Sequence, residues 1–395
     1  MSDGSVPFSM FVERALYDPD RGFYETGGRA GRRGDFVTSP EVGPLFGACL
    51  ARALDGWWDD LGRPDPFLVD EHGAGPGTLA RTVVVADPAC GAALRWTLVE
   101  RSAAERALHP DHLPHLGELD AQGRCTDPRW AAPAGGPLVS SAGARPDRPA
   151  HVVLANELLD NLPFDLLDRT ADGWHEVRVT ASTPGDGPET RGPGPVAGAR
   201  SSPEPSMPPP EATDPDPAGL VEALAAASHE DVTLARRLAP DAAVGSRIPV
   251  QRRAGEWVAA SLAQLAPGGR LLVIDYATST ADLAGRPVEE WIRTYAGHAR
   301  GGAPLDAPGA QDITVEVCSD QLALAARPPD LDRDQAAALR SWGLDELVDE
   351  GRRLWADNAG APGIAALRAR SRVTEAEALT DPTGLGAFRT LEWRA

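Results

Sequence analysis

VDEHGAGPGTLAR, running from Val69 to Arg81, is the stretch whose reading decides the fold. The apolar run from Pro66 to Val69 leads into two acids, then into glycines at every second position (Gly73, Gly75, Gly77), then into a helix-like pattern. A strand, a turn bared of side chains and a helix form the entry of a nucleotide- or nucleoside-binding α/β unit. A nicotinamide fingerprint needs GxGxxG, and Thr78 holds the place of its third glycine. A P-loop needs GxxxxGK, and this chain contains no lysine at all. S-adenosylmethionine carries no phosphate. It needs a backbone that can approach its methionine and ribose, with an acid to face its ammonium group, and Glu71 stands two positions before Gly73. A second acid closing the next strand would hold the ribose hydroxyls, and RWTLVERS supplies Glu100. The plain alternative is a glycine-rich strand–helix connection that binds nothing.

Outward from this turn the chain alternates. FLVDEH, RWTLVE, HVVLANE and RLLVIDYA read as strands; TLARTVVVA and GEWVAASLAQL read as helices, the latter ended by a PGG turn. Short, nearly all-apolar strands between amphipathic helices imply a parallel sheet covered on both faces. Ahead of it, residues 8–18 and 41–61 have helical spacing around a Gly- and Arg-rich loop. Residues 182–217 have almost no bulky apolar side chains and read as a disordered Pro/Gly-rich insertion.

The third informative stretch is VVLANELLDNLPFDLL, where Asn156, Glu157 and Asp160 follow a strand at the sheet's carboxyl edge. The Asn-Pro-Pro-aromatic run of nucleobase amino-methyltransferases is missing here. Two carboxylates three residues apart can share one face of a helical turn and hold a guanidinium by paired hydrogen bonds. Equally, they can open a helix, where acids favour the dipole.

Composition narrows the partners. The chain has 395 residues and a net charge of −20, and its 38 basic side chains are all arginine. Such a surface repels a phosphate backbone, so no nucleic-acid partner is expected, and a cationic one is favoured. Four scattered cysteines give neither a zinc site nor a disulfide framework, and no metal is expected. No secretory signal and no apolar run of membrane-spanning length is present, so the expected location is cytoplasmic.

With these stretches in place, the chain resembles the MidA-like family of SAM-dependent methyltransferases, which includes an enzyme that methylates an arginine on a protein subunit. The resemblance runs in order through FSMFVERALYDPDRGFYE, GDFVTSPEVGPLFG, EHGAGPGTL, LVERS, ANELLDNLPF, LLVIDYA, RTYAGHARGGAPLDAPGAQDIT and DPTGLGAFRTL. It implies an α/β, Rossmann-like, seven-stranded class I methyltransferase core with an N-terminal helical cap and insertions. The implied divisions are a cap over the donor site at 1–62, a first core part at 63–181 and the insertion at 182–217. The remainder of the core follows at 218–395, with an acceptor-side insertion around 280–345.

The donor site implied is Glu71, Gly73, Gly75, Gly77, Glu100 and Asn156, with Asp35, Thr38, Ser39 and Glu41 from the GDFVTSPE loop. Glu157 and Asp160 would act on the acceptor, with Asp275, Tyr276, His298 and Asp312 as weaker candidates for the pocket wall. The function implied is methyl transfer from S-adenosyl-L-methionine, foremost to a protein arginine guanidinium. A small-molecule O- or N-methyltransferase and a non-catalytic assembly factor are the alternatives. Three positions depart from the family's pattern: His72 and Ala74 in the turn, and Asn161, where the family favours alanine. The neighbourhood of Pro249 also lacks the family's glutamate.

Overall fold

The computed structural model describes residues 4–27, 38–113, 136–182, 219–297, 299–358, 360 and 363–395. Asp35, His298 and nearly all of the 182–217 segment lie outside the described residues.

The centre is a seven-stranded sheet, whose strands we number in chain order: β1 (Phe67–His72), β2 (Leu94–Val99), β3 (Leu138–Ala142), β4 (Ala150–Asn156), β5 (Leu265–Asp275), β6 (Leu331–Asp334) and β7 (Arg389–Arg394). Their spatial order is β6-β7-β5-β4-β1-β2-β3. The five strands from β3 to β5 are mutually parallel, as their apolar runs require. The expectation of a parallel sheet fails at one side, where β7 runs antiparallel to both β5 and β6. The last strand enters after a pair of packed helices, Leu344–Asp357 and Ile364–Leu379, rather than through a βαβ crossover. The sheet is therefore mixed. The Pro-Gly-Gly expected as a turn lies inside β5, where pairing with β4 jumps register between Leu265 and Arg270.

Helix Pro44–Asp60 buries Leu45, Phe46, Leu50 and Leu54 in the main core with Phe67, Val69 and Trp96 of the sheet. Helix Phe8–Tyr17 goes elsewhere. Its face of Phe8, Phe11, Val12, Ala15 and Leu16 packs with Phe164, Leu166, Val177, Trp291 and Ile313. Those partners lie in or beside two smaller sheets, the second of them within the 280–345 span expected as an insertion. One is an antiparallel sheet built from Val6–Pro7, Asp165–Arg169, Trp174–Ala181, Leu220–Ala226 and Arg247–Val250. The other is a three-stranded sheet of Ile292–Ala296, Ala299–Arg300 and Asp312–Val315. These satellite layers carry the amino-terminal segment to the carboxyl edge of the central sheet.

Candidate active site

The carboxyl ends of β1, β2 and β4 open onto a cavity of about 310 Å³. Its floor is the glycine turn. Gly73 and Gly75 both have left-handed backbones, with φ of 66° and 51°. A Cβ on Gly73 would sit 2.7 Å from Leu158 Cδ1, whereas one on Gly75 would point into open space. Gly75 is thus the point where the backbone is bare toward the cavity. Gly77 serves packing instead. It is absent from the cavity wall, its φ is 84°, and a Cβ there would meet Leu113 at 2.9 Å.

Strand alternation sends the two acids of β1 opposite ways. Asp70 turns inward and pairs with the buried Arg148 at 2.6 Å. Glu71 lines the cavity, buried, with Trp96 Nε1 donating to its Oε2 at 2.8 Å. Burial pushes the Glu71 carboxyl up to about 8, which favours its neutral form while no cation is beside it. At the end of β2, Glu100 accepts from the backbone N–H of Gly75 at 3.0 Å and of Ser102 at 2.8 Å. Each oxygen keeps a lone pair for a further donor. A missed residue props the turn from below: fully buried His109 bonds Gly75 O through Nε2 at 2.7 Å and Ser141 Oγ through Nδ1 at 2.8 Å. His109 stands in a run with His112 and His115, and nothing in that local pattern shows which ring reaches the turn.

The opposite wall comes from the end of β4. Glu157 lines the cavity in a left-handed conformation, φ 53°, which costs a non-glycine residue about 1–2 kcal/mol. Its Oε1 accepts from Ser39 N–H at 3.2 Å and Asn156 Nδ2 at 3.0 Å. Burial first, then the nearby Asp160 charge, push it up to about 8. Of the GDFVTSPE loop, Thr38 and Glu41 line the cavity. Ser39 does not: its buried hydroxyl donates to Gln335 Oε1 at 2.9 Å.

Asp160 departs from its expected place beside Glu157 on the wall. It sits in a 3₁₀ turn, Leu159–Asn161, whose backbone N–H groups at Leu159 and Asp160 donate to Asp275 Oδ2 at 2.9 and 3.3 Å. Its side chain is buried behind the wall, near Asp275 and Asp312, and its Oδ1 has no hydrogen-bond partner. Burial and those two acids push it well up, and burial and Glu157 push Asp275 up to about 8. Among the described residues, no arginine is hydrogen-bonded to Glu157, Asp160 or Asp275. That leaves an excess of carboxyl groups at and behind this wall, with Glu157 at the cavity surface.

Three aromatic side chains complete the cavity, and none was singled out from the sequence. Tyr17 and Tyr24 stack at 5.6 Å, and the Arg101 guanidinium lies 4.0 Å above the Tyr17 ring. Tyr24 Oη donates to Asp312 Oδ1 at 3.0 Å, and the same oxygen accepts from Asn161 Nδ2 at 3.0 Å. At the other end, Trp257 Nε1 donates to His72 Nδ1 at 3.3 Å. Tyr276, a weaker candidate, packs on Phe388 and lies outside the cavity wall. Among the described residues no cluster of metal-ligating side chains is present, and no helix is long and apolar enough to cross a membrane.

Comparison with known proteins identifies what the chain is similar to. Residues 49–334 match the model of a family described as "Putative S-adenosyl-L-methionine-dependent methyltransferase". The mitochondrial protein arginine methyltransferase NDUFAF7 homolog of Drosophila melanogaster is 29% identical over 198 residues, which is 46% of this chain and 43% of that protein. Protein arginine methyltransferase NDUFAF7 of Homo sapiens is 27% identical over 195 residues, 45% of this chain and 42% of its own length. The chain thus spans under half the length of the curated relatives it matches. Among solved structures, a "superfamily member and likely methyl transferase from Burkholderia thailandensis bound to S-adenosyl-homocysteine" superposes with a TM-score of 0.75 at 27% identity. That match covers 99% of this chain and 88% of that one.

Proposed function

The chain belongs to this family of S-adenosyl-L-methionine-dependent methyltransferases, and from that premise we propose that it methylates a guanidinium nitrogen of a protein arginine. The observation that carries the reading is the acid wall. Glu157 at the cavity surface is backed by Asp160 and Asp275, and burial drives all three toward their neutral forms unless a cation is seated against them. A guanidinium is a planar cation that carboxylates hold by paired hydrogen bonds and aromatic faces hold by stacking. The same cavity already stacks the guanidinium of Arg101 on Tyr17.

The donor residues fit S-adenosylmethionine. Glu71 would meet the ammonium group, Glu100 the ribose hydroxyls, and the bare Gly75 backbone lets the ligand lie close. When bound, the donor supplies an electrophilic methyl on a sulfonium. Everything else falls to the chain. Glu157 orients the guanidinium and concentrates electron density on one nitrogen. Because a guanidinium does not lose its proton beforehand, the proton leaves with or after methyl transfer, and Glu157 is the carboxylate placed to receive it. The order β6-β7-β5-β4-β1-β2-β3 supports reading the sheet as a class I methyltransferase core, with Tyr17 and Tyr24 bringing the amino-terminal segment over the cavity.

The test is methyl transfer from isotope-labelled S-adenosylmethionine to a panel of arginine-containing proteins, with peptide mapping by mass spectrometry. Label on arginine, absent when that arginine is replaced by lysine, supports the proposal. Label on a free metabolite, with none on any protein, replaces it with small-molecule methylation.

A further inference from the structure

A second cavity, about 610 Å³, lies on the opposite edge of the central sheet and shares no lining residue with the first. It opens where β5 and β6 begin and β7 ends. Arg270 on its wall stands five residues before Asp275 of the acid wall along β5, a separation of about 17 Å at strand rise.

Its charge is opposite in sign to the molecule's. Five arginines, Arg52, Arg270, Arg333, Arg340 and Arg394, line it against three carboxylates, in a chain whose net charge is −20. Three of the five converge on one carboxylate. Arg270 Nη1 bonds Glu392 Oε1, Arg394 Nε donates to it at 3.2 Å, and Arg333 Nη2 stands 4.0 Å from Oε2. Arg270 has a second partner, Asp60, at the exposed rim. Arg52 donates to a backbone carbonyl, that of Gly343, and Arg340 has no carboxylate partner among the described residues.

Two N–H donors are left over in the interior. The Nε atoms of Arg270 and Arg333 are buried without a hydrogen-bond partner, and the Arg270 side chain is only 8% exposed. Indole rings fix these two groups. The Arg270 guanidinium lies 5.5 Å from the Trp57 centroid and that of Arg333 lies 5.8 Å from Trp342, the two indoles meeting edge-on at 6.1 Å. Ring contacts of this kind fix the guanidinium planes at the cavity wall. A concave site with surplus positive charge concentrates anions even on an acidic protein.

From this arrangement we propose that the cavity binds a small phosphate-bearing ligand with at least two phosphate groups, independently of the methyl donor. Arginine forks match phosphate oxygens in pairs, and the volume falls in the range of small-molecule sites and exceeds that of a lone phosphate. S-adenosylmethionine has no phosphate, so the two sites select against each other's ligand.

Inorganic pyrophosphate is the probe, titrated by calorimetry into the full chain at constant ionic strength set with sodium chloride. Arg340→Glu is the main variant, because that side chain is exposed and has no ion-pair partner among the described residues. Arg52→Ser is the second. Saturable binding, weakened at least ~10-fold by Arg340→Glu with S-adenosylhomocysteine affinity unchanged, is the expected result. Binding that is equal in the variants marks a non-specific ion effect and overturns the proposal. No pyrophosphate binding also overturns it, as does oligoglutamate binding in its place, which would make the cavity a docking site for an acidic protein segment.

Discussion

The glycine turn and the acid wall face each other across one cavity, yet they are built in opposite ways. The turn is local: Glu71, Gly73, Gly75 and Glu100 lie within two successive strand ends, and its hydrogen bonds are closed before any ligand arrives. The wall is assembled from the ends of β4 and β5 together with side chains from the satellite sheets, and it is left unfinished. Glu157 is strained, Asp160 Oδ1 is unpartnered, and carboxyl groups outnumber cations. A pre-formed half suits a ligand that every catalytic cycle requires. An unfinished half suits a cationic acceptor that completes the charge balance only while bound.

The sharpest way to break this comparison is Glu157→Gln. If the wall serves only the acceptor, turnover falls ~10²-fold or more while S-adenosylhomocysteine affinity by calorimetry stays as in the parent. A parallel loss of donor affinity would show that the halves are not separable. The converse variant, Glu100→Ala, loses hydrogen bonds between a charged group and its partners at about 1.5–3 kcal/mol each. Donor affinity should fall ~10- to 100-fold, and because the bonds to Gly75 and Ser102 are internal, thermal stability should fall as well.

Stability against pH sharpens the contrast further. Glu71, Glu157 and Asp275 are all pushed up to about 8 in the folded chain. Between the ordinary carboxyl range and pH 8 the native state therefore holds protons that the unfolded state has released. Their contribution is fully present below about pH 4 and is lost as pH rises through 8, with a slope of up to ~1.4 kcal/mol per pH unit for each group. Urea unfolding at pH 5, 6.5 and 8 should show that slope, and Glu157→Gln should reduce it by one proton's worth. An unchanged slope in the variant would place the proton elsewhere. The smallest effect is expected from Tyr24→Phe, which removes the 3.0 Å bond to Asp312. A loss of about 1 kcal/mol in acceptor-dependent KM or in stability, with kcat retained, would mark a positioning role.

Much of the glycine-turn half was legible because it depends on spacing along the chain. Alternate glycines, a strand ending in Glu71 and another ending before Glu100 each need only their neighbours to be recognised. Strand bounds read from apolar runs fell within a residue or two for β1, β2 and β4. The assignments that moved depended on side-chain direction. Ser39 turned to Gln335, Gly77 served packing against Leu113, and Asp160 went behind the wall because a 3₁₀ turn, not an α-helix, follows Glu157.

What the sequence determined by itself was the parallel half of the sheet, the glycine turn and the acid at each strand end, because backbone conformation and apolar periodicity are encoded within a few residues. Only the tertiary structure decided that Tyr24 meets Asp312, 288 positions away, that β7 returns antiparallel, and that five arginines gather at one sheet edge. Those contacts exist only once long loops have closed. No local pattern records which distant segments will share a cavity, since the choice is made by the apolar faces that bury against one another.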